Sequence, residues 1–288
     1  MGTVYSIADP AIRLSTMTST NGGGDGDSRR TGSDITRSLE LLWGEGERPT
    51  RGPKPALTLD RIVTEAVRLA DAEGLTALSM RRLSTELGTG TMSLYRYVPG
   101  KGELLDLMLD RVYTRPTDAE PPRASWREAM EAYARETLVL YREHPWLLQA
   151  NQARPVLGPG SVGGLEHALS GIKSMSLTDP ELIGVIVMVE GYVTGVARTQ
   201  VHEMEAVKKS GLTDEAFWEA QGPTLNRIMS SGRYPHLAGL SDDAFGSQFD
   251  HFEFGLQRLL DGLDVLVARR EAAQAETETE AEKGSRKA

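Results

Sequence analysis

The sequence predicts an all-α chain: a small N-terminal three-helix domain built around a helix-turn-helix, followed by a larger helical domain. Three observations carry that prediction. Apolar residues recur at the 3.6-residue helical period through every ordered stretch, and no run of period two argues for a strand. Hydroxyl and acidic caps precede these stretches, and glycine or proline ends them. The charge is also divided along the chain. Of the net −9, residues 51–101 hold eight Lys/Arg against five acids, or +3, and residues 102–268 sum to −10.

Residues 1–50 are rich in Gly, Ser, Thr and Asp. Segments such as NGGGDGDS bury too little apolar surface to offset their ordering entropy, so a disordered extension is expected. Within it, residues 35–43 are apolar enough for a transient helix with no assigned role. Residues 48–55, RPTRGPKP, form a basic, proline-stiffened segment. It reads either as a solvated linker or as an arm reaching a phosphate or a minor groove.

The first firm helix spans about 59–73. Leu59, Ile62, Val63, Ala66, Leu69 and Ala70 share its inner face, Thr58 caps it and Gly74 closes it. Ser79 caps a short helix whose Met80, Leu83 and Leu87 face one way. Gly88 stops it, because the left-handed conformation needed there carries no steric penalty for glycine. A second short helix runs from Thr91 to Arg96. Leu94 and Val98 tie it inward, leaving Thr91, Met92, Ser93, Tyr95 and Arg96 to face out. Two short helices at a tight glycine turn, the second bearing hydroxyls and an arginine, suit insertion into a DNA major groove. The basic charge lies on this head and the acidic charge elsewhere, which favours docking by one end.

Pro99-Gly100 turns the chain into a connecting helix from Lys101, with Leu104, Leu105, Met108, Leu109 and Val112 apolar. Residues 116–122 break it and read as a hinge, so the connecting segment covers 101–120. The second domain then spans 121–270. Its helices are expected at 126–143, as a short turn at 146–151, and at 165–175 after a Gly/Pro loop at 154–164. A long helix at 179–209 follows, capped by Thr178 or Asp179, then one at 214–229 capped by Thr213. The last, to about residue 270, is capped by Ser241. The charged tail 271–288 is expected to fray.

Several chemistries are set aside. The chain has no cysteine, which excludes disulfides and thiolate sites. Gly158, Gly160 and Gly163 spell G-x-G-x-x-G, but a nucleotide fingerprint needs a preceding strand. Ser161 lacks the glycine of a nucleophile elbow. The stretch His202–Glu205 fails zinc-protease spacing, since Ala206 stands where the second histidine belongs. No catalytic residue, metal ligand or cofactor is assigned, and an enzyme is not expected. The longest apolar run, 182–197, is interrupted by Gly184, Glu190, Gly191 and Gly195, so no membrane span is expected and a soluble cytoplasmic protein is.

The pieces AVRLADAEGLTALSMRRLSTELG, MSLYRYVPGK and ELLDLMLD together resemble the DNA-binding domain of the TetR (tetracycline-repressor-like) family. The resemblance covers residues 59–113. It implies a homodimeric transcriptional repressor, released from a palindromic double-stranded DNA operator by a small-molecule effector. It further implies that the helical remainder is a ligand-binding and dimerisation domain. Carried over by position, Arg81 begins the positioning helix. Thr91, Met92, Ser93 and Tyr95 then lie at base and phosphate contacts, and Tyr97 and Lys101 at backbone contacts. Arg96 reads either as a bidentate guanine contact or as a phosphate-facing cation. Thr89 and Gly90 depart from the family pattern, so no base preference transfers. A regulator without an inducer, a helical carrier and an enzyme are the competing readings.

In the second domain, residues 182–196 are apolar nearly all round, which predicts a helix buried on every side. Glu190 is the exception; it must pair with an arginine such as Arg198 or one across a dimer, or meet a ligand. Candidate walls of a ligand cavity are Trp146, His167, Met188, Glu190, Tyr192, Phe249, Phe252 and Glu253.

Overall fold

The computed structural model describes residues 31–44, 57–114, 124–152, 154–241, 244 and 249–285. Among these residues all regular structure is helical. The basic arm at 48–55 and the hinge at 116–122 lie outside them.

Helices α2 (Leu59–Glu73), α3 (Met80–Glu86), α4 (Thr91–Tyr95) and α5 (Lys101–Tyr113) build the N-terminal head. The Thr58 and Ser79 hydroxyls accept from the Arg61 and Arg82 amides at 3.1 Å, satisfying orphan donors at the starts of α2 and α3. Gly74 and Gly88 take positive φ, +82° and +64°, where the chain must reverse. Ile62, Val63, Ala66, Leu69 and Ala70 of α2 are buried and Leu59 partly so; Leu83, Leu94, Val98, Leu104 and Met108 are fully buried, giving the four helices one core.

The N-terminal extension departs from expectation. Residues Gly32–Trp43 form α1, held by a capping box between Thr31 and Asp34. This helix packs along α5 rather than standing as a transient, isolated turn. Ser38 is fully buried and donates to Asp106 at 2.5 Å. Arg37 meets Glu103 at 3.4 Å, and the Trp43 indole donates to the Leu157 carbonyl at 2.8 Å. A short polar stretch gains order here because its partner surface lies 66 to 114 residues away in sequence.

The second domain comprises α6 (Trp126–Glu143), α7 (Pro159–Ile172), α8 (Asp179–Ser210), α9 (Asp214–Met229), α10 (Pro235–Ala238) and α11 (His251–Ser285). Short 3₁₀ turns at Pro145–Leu148 and Lys173–Met175 follow α6 and α7. Helix α6 lies against α7, α8 and α11, and α7 reaches back onto α5. Arg127 on α6 pairs with Asp261 at 2.8 Å and with Asp264, and Arg135 pairs with Glu253 at 2.9 Å, fastening α6 to α11. Thr178 caps α8 as expected, its amide and hydroxyl both donating to Glu181.

Four expectations shift. Helix α7 begins at Pro159, inside the segment read as a loop, because proline suits a first helical turn and Asp110 accepts from the first-turn amides of Gly160 and Ser161. Helix α11 begins at His251 rather than at Ser241; Asp250 caps it, accepting from the Glu253 amide at 2.8 Å. It then continues past residue 270 to Ser285, through sequence of good helix formers. Helix α8 is buried along one face only, by Val185, Ile186, Val189, Val193, Ala197 and Val201, while Val187 and Met188 are exposed within the single chain. With 32 residues α8 is also long and apolar enough to span a bilayer by length and composition. Its inner face nevertheless packs in the protein core and its midpoint carries Glu190.

Candidate nucleic-acid interface and the chamber behind it

Helix α4 is five residues long and is set by its neighbours rather than by its own propensity. Gly90 at its start offers no side-chain cap. The tie comes instead from Ser84 on α3, whose hydroxyl lies 3.0 Å from that of Thr91. Leu94 anchors the inner face. Met92 is 79% exposed and Tyr95 41% exposed, so the outer face presents a flexible thioether and a phenol. Arg96 is exposed beside them, Thr91 and Ser93 are half-buried, and Tyr97 packs partly against the core. The structure thus puts Met92, Tyr95 and Arg96 outermost and uses Thr91 to join the two helices.

The surrounding cations divide by partner. Arg82 is held by Glu73 at 3.0 Å and Glu86 at 2.8 Å, and Arg68 by Glu65 at 2.6 Å. Arg81 and Arg96 have no acidic partner among the described residues. Lys101, the first residue of α5, is exposed, with its ammonium 3.5 Å from the Leu75 carbonyl. Uncommitted positive charge therefore surrounds α4, where an anionic backbone would lie against it.

Behind the head, α5 and α7 cross at close quarters. The Asp110 carboxylate accepts from the amides of Gly160 at 3.0 Å and Ser161 at 2.8 Å. A methyl group on Gly158 would stand 2.5 Å from the Asp110 carboxyl carbon, and one on Gly160 would collide with the Asp110 carbonyl. The G-x-G spacing therefore serves a helix crossing: both glycines let α7 approach α5 with its dipole aimed at an acid.

Glu190 faces α6. It accepts from Tyr133 at 2.5 Å and from Tyr141 at 2.7 Å, and Thr194 donates to Tyr141 at 3.2 Å. Tyr113, in the last turn of α5, donates to Gln152 at 2.7 Å beside this group. The expected pair with Arg198 does not form, and Glu190 has no cationic partner among the described residues. Burial first, then the Glu190 charge, pushes the Tyr113 phenol up to about 12. The same two causes raise Tyr133 and Tyr141. Tyr133 is also among the residues lining a cleft of about 520 Å³ between α6 and α7, with Trp126, Met130, Glu136, His167 and Lys173.

The other proposed wall residues lie elsewhere. Trp146 is buried and donates to Asp71 of α2 at 2.7 Å, joining the second domain to the head. Met188 points outward. Tyr192 stacks on Phe252 at 6.0 Å and donates to the His251 and Phe252 carbonyls, closing the α8–α11 seam over Gly255. Glu253 pairs with Arg135, and Phe249 is exposed. Sequence reading missed Tyr113, Tyr133, Tyr141 and Gln152. The signal available was the eight-residue spacing of Tyr133 and Tyr141, which sets both on one helical face.

Comparison with known proteins agrees with this geometry. Residues 62–108 match the model of the tetR family of bacterial regulatory proteins, and residues 118–267 match that of the tetracyclin repressor-like C-terminal domain. The chain is 61% identical to the HTH-type transcriptional repressor DrrR1 of Streptomyces coeruleorubidus over 256 residues, 88% of this chain and 94% of that one. It is 30% identical to an HTH-type transcriptional regulator of Saccharopolyspora erythraea, over 77% of this chain and 90% of that one. The crystal structure of the Streptomyces coelicolor TetR family protein ActR in complex with actinorhodin aligns with a TM-score of 0.57 at 32% identity, covering 73% of this chain and 96% of that one. The α4 head, the α5 connector and the helical body are thus those of one family, and the chain belongs to the TetR family of DNA-binding helix-turn-helix transcriptional repressors, which are not enzymes.

Proposed function

We propose that the chain acts in the cytoplasm as a homodimer that occupies a palindromic operator and leaves it when a small molecule binds between α6 and α7. Met92, Tyr95 and Arg96 meet base edges and phosphates, Thr91 and Ser93 support them, and Arg81, Tyr97 and Lys101 grip the backbone. Two heads about 34–36 Å apart fit successive major grooves. The exposed apolar residues of α8 and α11, Val187, Met188, Phe254 and Val265, support a helical seam between two copies.

The observation that carries the release mechanism is the α5–α7 crossing. Asp110 binds the start of α7, and Tyr113 of the same helix reaches Gln152 beside Glu190. A molecule that spreads α6 from α7 pulls α5 through both contacts, and Lys101 and α4 move with it. ActR, with actinorhodin bound, supplies the precedent for a small-molecule effector. By reciprocity, operator DNA weakens effector binding by the same factor that effector weakens DNA binding, typically about 1–3 kcal/mol. The cleft of about 520 Å³ favours this reading over a regulator that takes no effector.

Replacing Tyr95 with alanine tests the placement of the reading helix. Gel retardation of the DNA upstream of the gene should weaken by about 10-fold or more, with the melting temperature and the dimer unchanged. Unaltered operator affinity would remove α4 from the interface.

A further inference from the structure

We infer that the effector is an organic cation with an aromatic or apolar body, and that Glu190 is its counter-ion within a frame of tyrosines. This rests on the effector reading above and names its chemistry. Glu190 is the half-buried midpoint acid of α8, and its carboxylate receives two hydrogen bonds, both from neutral phenols. A carboxylate has about four acceptor positions, so room for a further donor remains. The arginines of α6, the helix that carries both phenols, are engaged elsewhere: Arg127 with Asp261 and Asp264, Arg135 with Glu253 and Glu131, and Arg142 with Gln200. Among the described residues no cation meets Glu190. Tyr133 belongs to both groups: it is among the residues lining the α6–α7 cleft, and its hydroxyl donates to Glu190 behind that wall.

Two further features favour a cation. Tyrosine faces attract positive charge through the ring quadrupole, and Tyr113, Tyr133 and Tyr141 cluster round the acid. The stretch 102–268 carries a net −10, which draws cations and repels anions at long range. Lys173, at the exposed end of α7, is the one lysine on the cleft wall, and Glu136 stands on the opposite wall. A ligand ammonium that enters this frame and takes Glu190 also redirects the Tyr141 and Tyr133 hydroxyls, and Tyr113 lies against the same charge at the end of α5. Recognition and release then share one set of hydrogen bonds.

The test is calorimetric titration of the DNA-free full chain with three aromatic cations of different shape: tetraphenylphosphonium, acridine orange and tryptamine. Tetraphenylborate and fluorescein serve as anionic counterparts. At least one cation should bind, and tighter than either anion. Glu190→Gln should weaken that cation by about 10-fold or more while leaving the melting temperature within a few degrees of wild type. Tyr133→Phe, which keeps the ring, should weaken it less. Binding of the anions as tightly as the cations, failure of all three cations, or unchanged affinity in a folded Glu190→Gln variant would each overturn the inference. Should Glu190→Gln not fold, Tyr133→Phe and the cation-to-anion ratio of the wild type still decide it. Operator retardation on the same preparation without added ligand reads the repressor assignment separately, so a chain that binds operator but no cation loses only this inference.

Discussion

At the scale of single residues, Glu190 shows how context sets chemistry. A carboxylate midway along an apolar helix requires compensation, and here it comes from phenols on a neighbouring helix. The consequence is visible in alkali. Tyr113, Tyr133, Tyr141 and Tyr192 all have raised pKa values, with burial the first cause in each. The unfolded chain ionises these phenols near their ordinary value of about 10. A raised folded pKa means that the stability they contribute is fully present below that value. It is lost as pH climbs toward and past about 12, the value reached by Tyr113. Absorbance at 295 nm should therefore show part of the eight tyrosines silent at pH 11 until the chain unfolds. Ionisation of all eight in the folded protein at that pH would contradict the buried network.

At the scale of elements, α1 and the α5–α7 crossing matter most. Helix α1 lies outside both matched family segments, yet it touches α5 through Ser38 and Arg37 and touches the lead-in to α7 through Trp43. It thus braces the two elements that join head and body. Ser38→Ala removes a fully buried hydrogen bond to a carboxylate, and should lower unfolding free energy by about 1.5–3 kcal/mol, measured by denaturant titration. A loss below about 0.5 kcal/mol, the range of ordinary surface substitutions, would mean that α1 is not packed as described. Helix α9 contrasts with it. Among the described side chains of α9 none is fully buried, and Phe217 and Trp218 are half exposed.

At the scale of the molecule, a chain of net −9 reads DNA because its charge is segregated. In the head Arg81, Arg96 and Lys101 have no acidic partner among the described residues, and the net negative charge lies in residues 102–268. Association should be salt-dependent through the head alone. Lys101→Ala should reduce affinity on all DNA sequences and lower the slope of log affinity against log salt by about one per head engaged. A loss confined to one base position would argue instead for base reading.

Much of this was legible before any coordinates. Local rules fix caps, periods and glycine stops, so the head from Thr58 to Lys101 and the start of α8 could be written from sequence. The start of α7, the order of α1 and the start of α11 could not. Helix α11 starts at the local cap Asp250, which competed in sequence with Ser241, while the other two depend on a distant partner, Asp110 for α7 and Asp106 and Leu157 for α1. The ligand-wall expectations suffered for the same reason. Tyr192 and Phe252 have the composition of a cavity wall, but the seam they close is set by how α8 meets α11 over Gly255. By itself, then, the sequence determined the class of protein and the helices of its head, because short-range helix and turn preferences are written in consecutive residues. Only the tertiary structure decided what Glu190 faces and how α5 is gripped, because those are contacts between helices that the chain brings together from tens of residues apart.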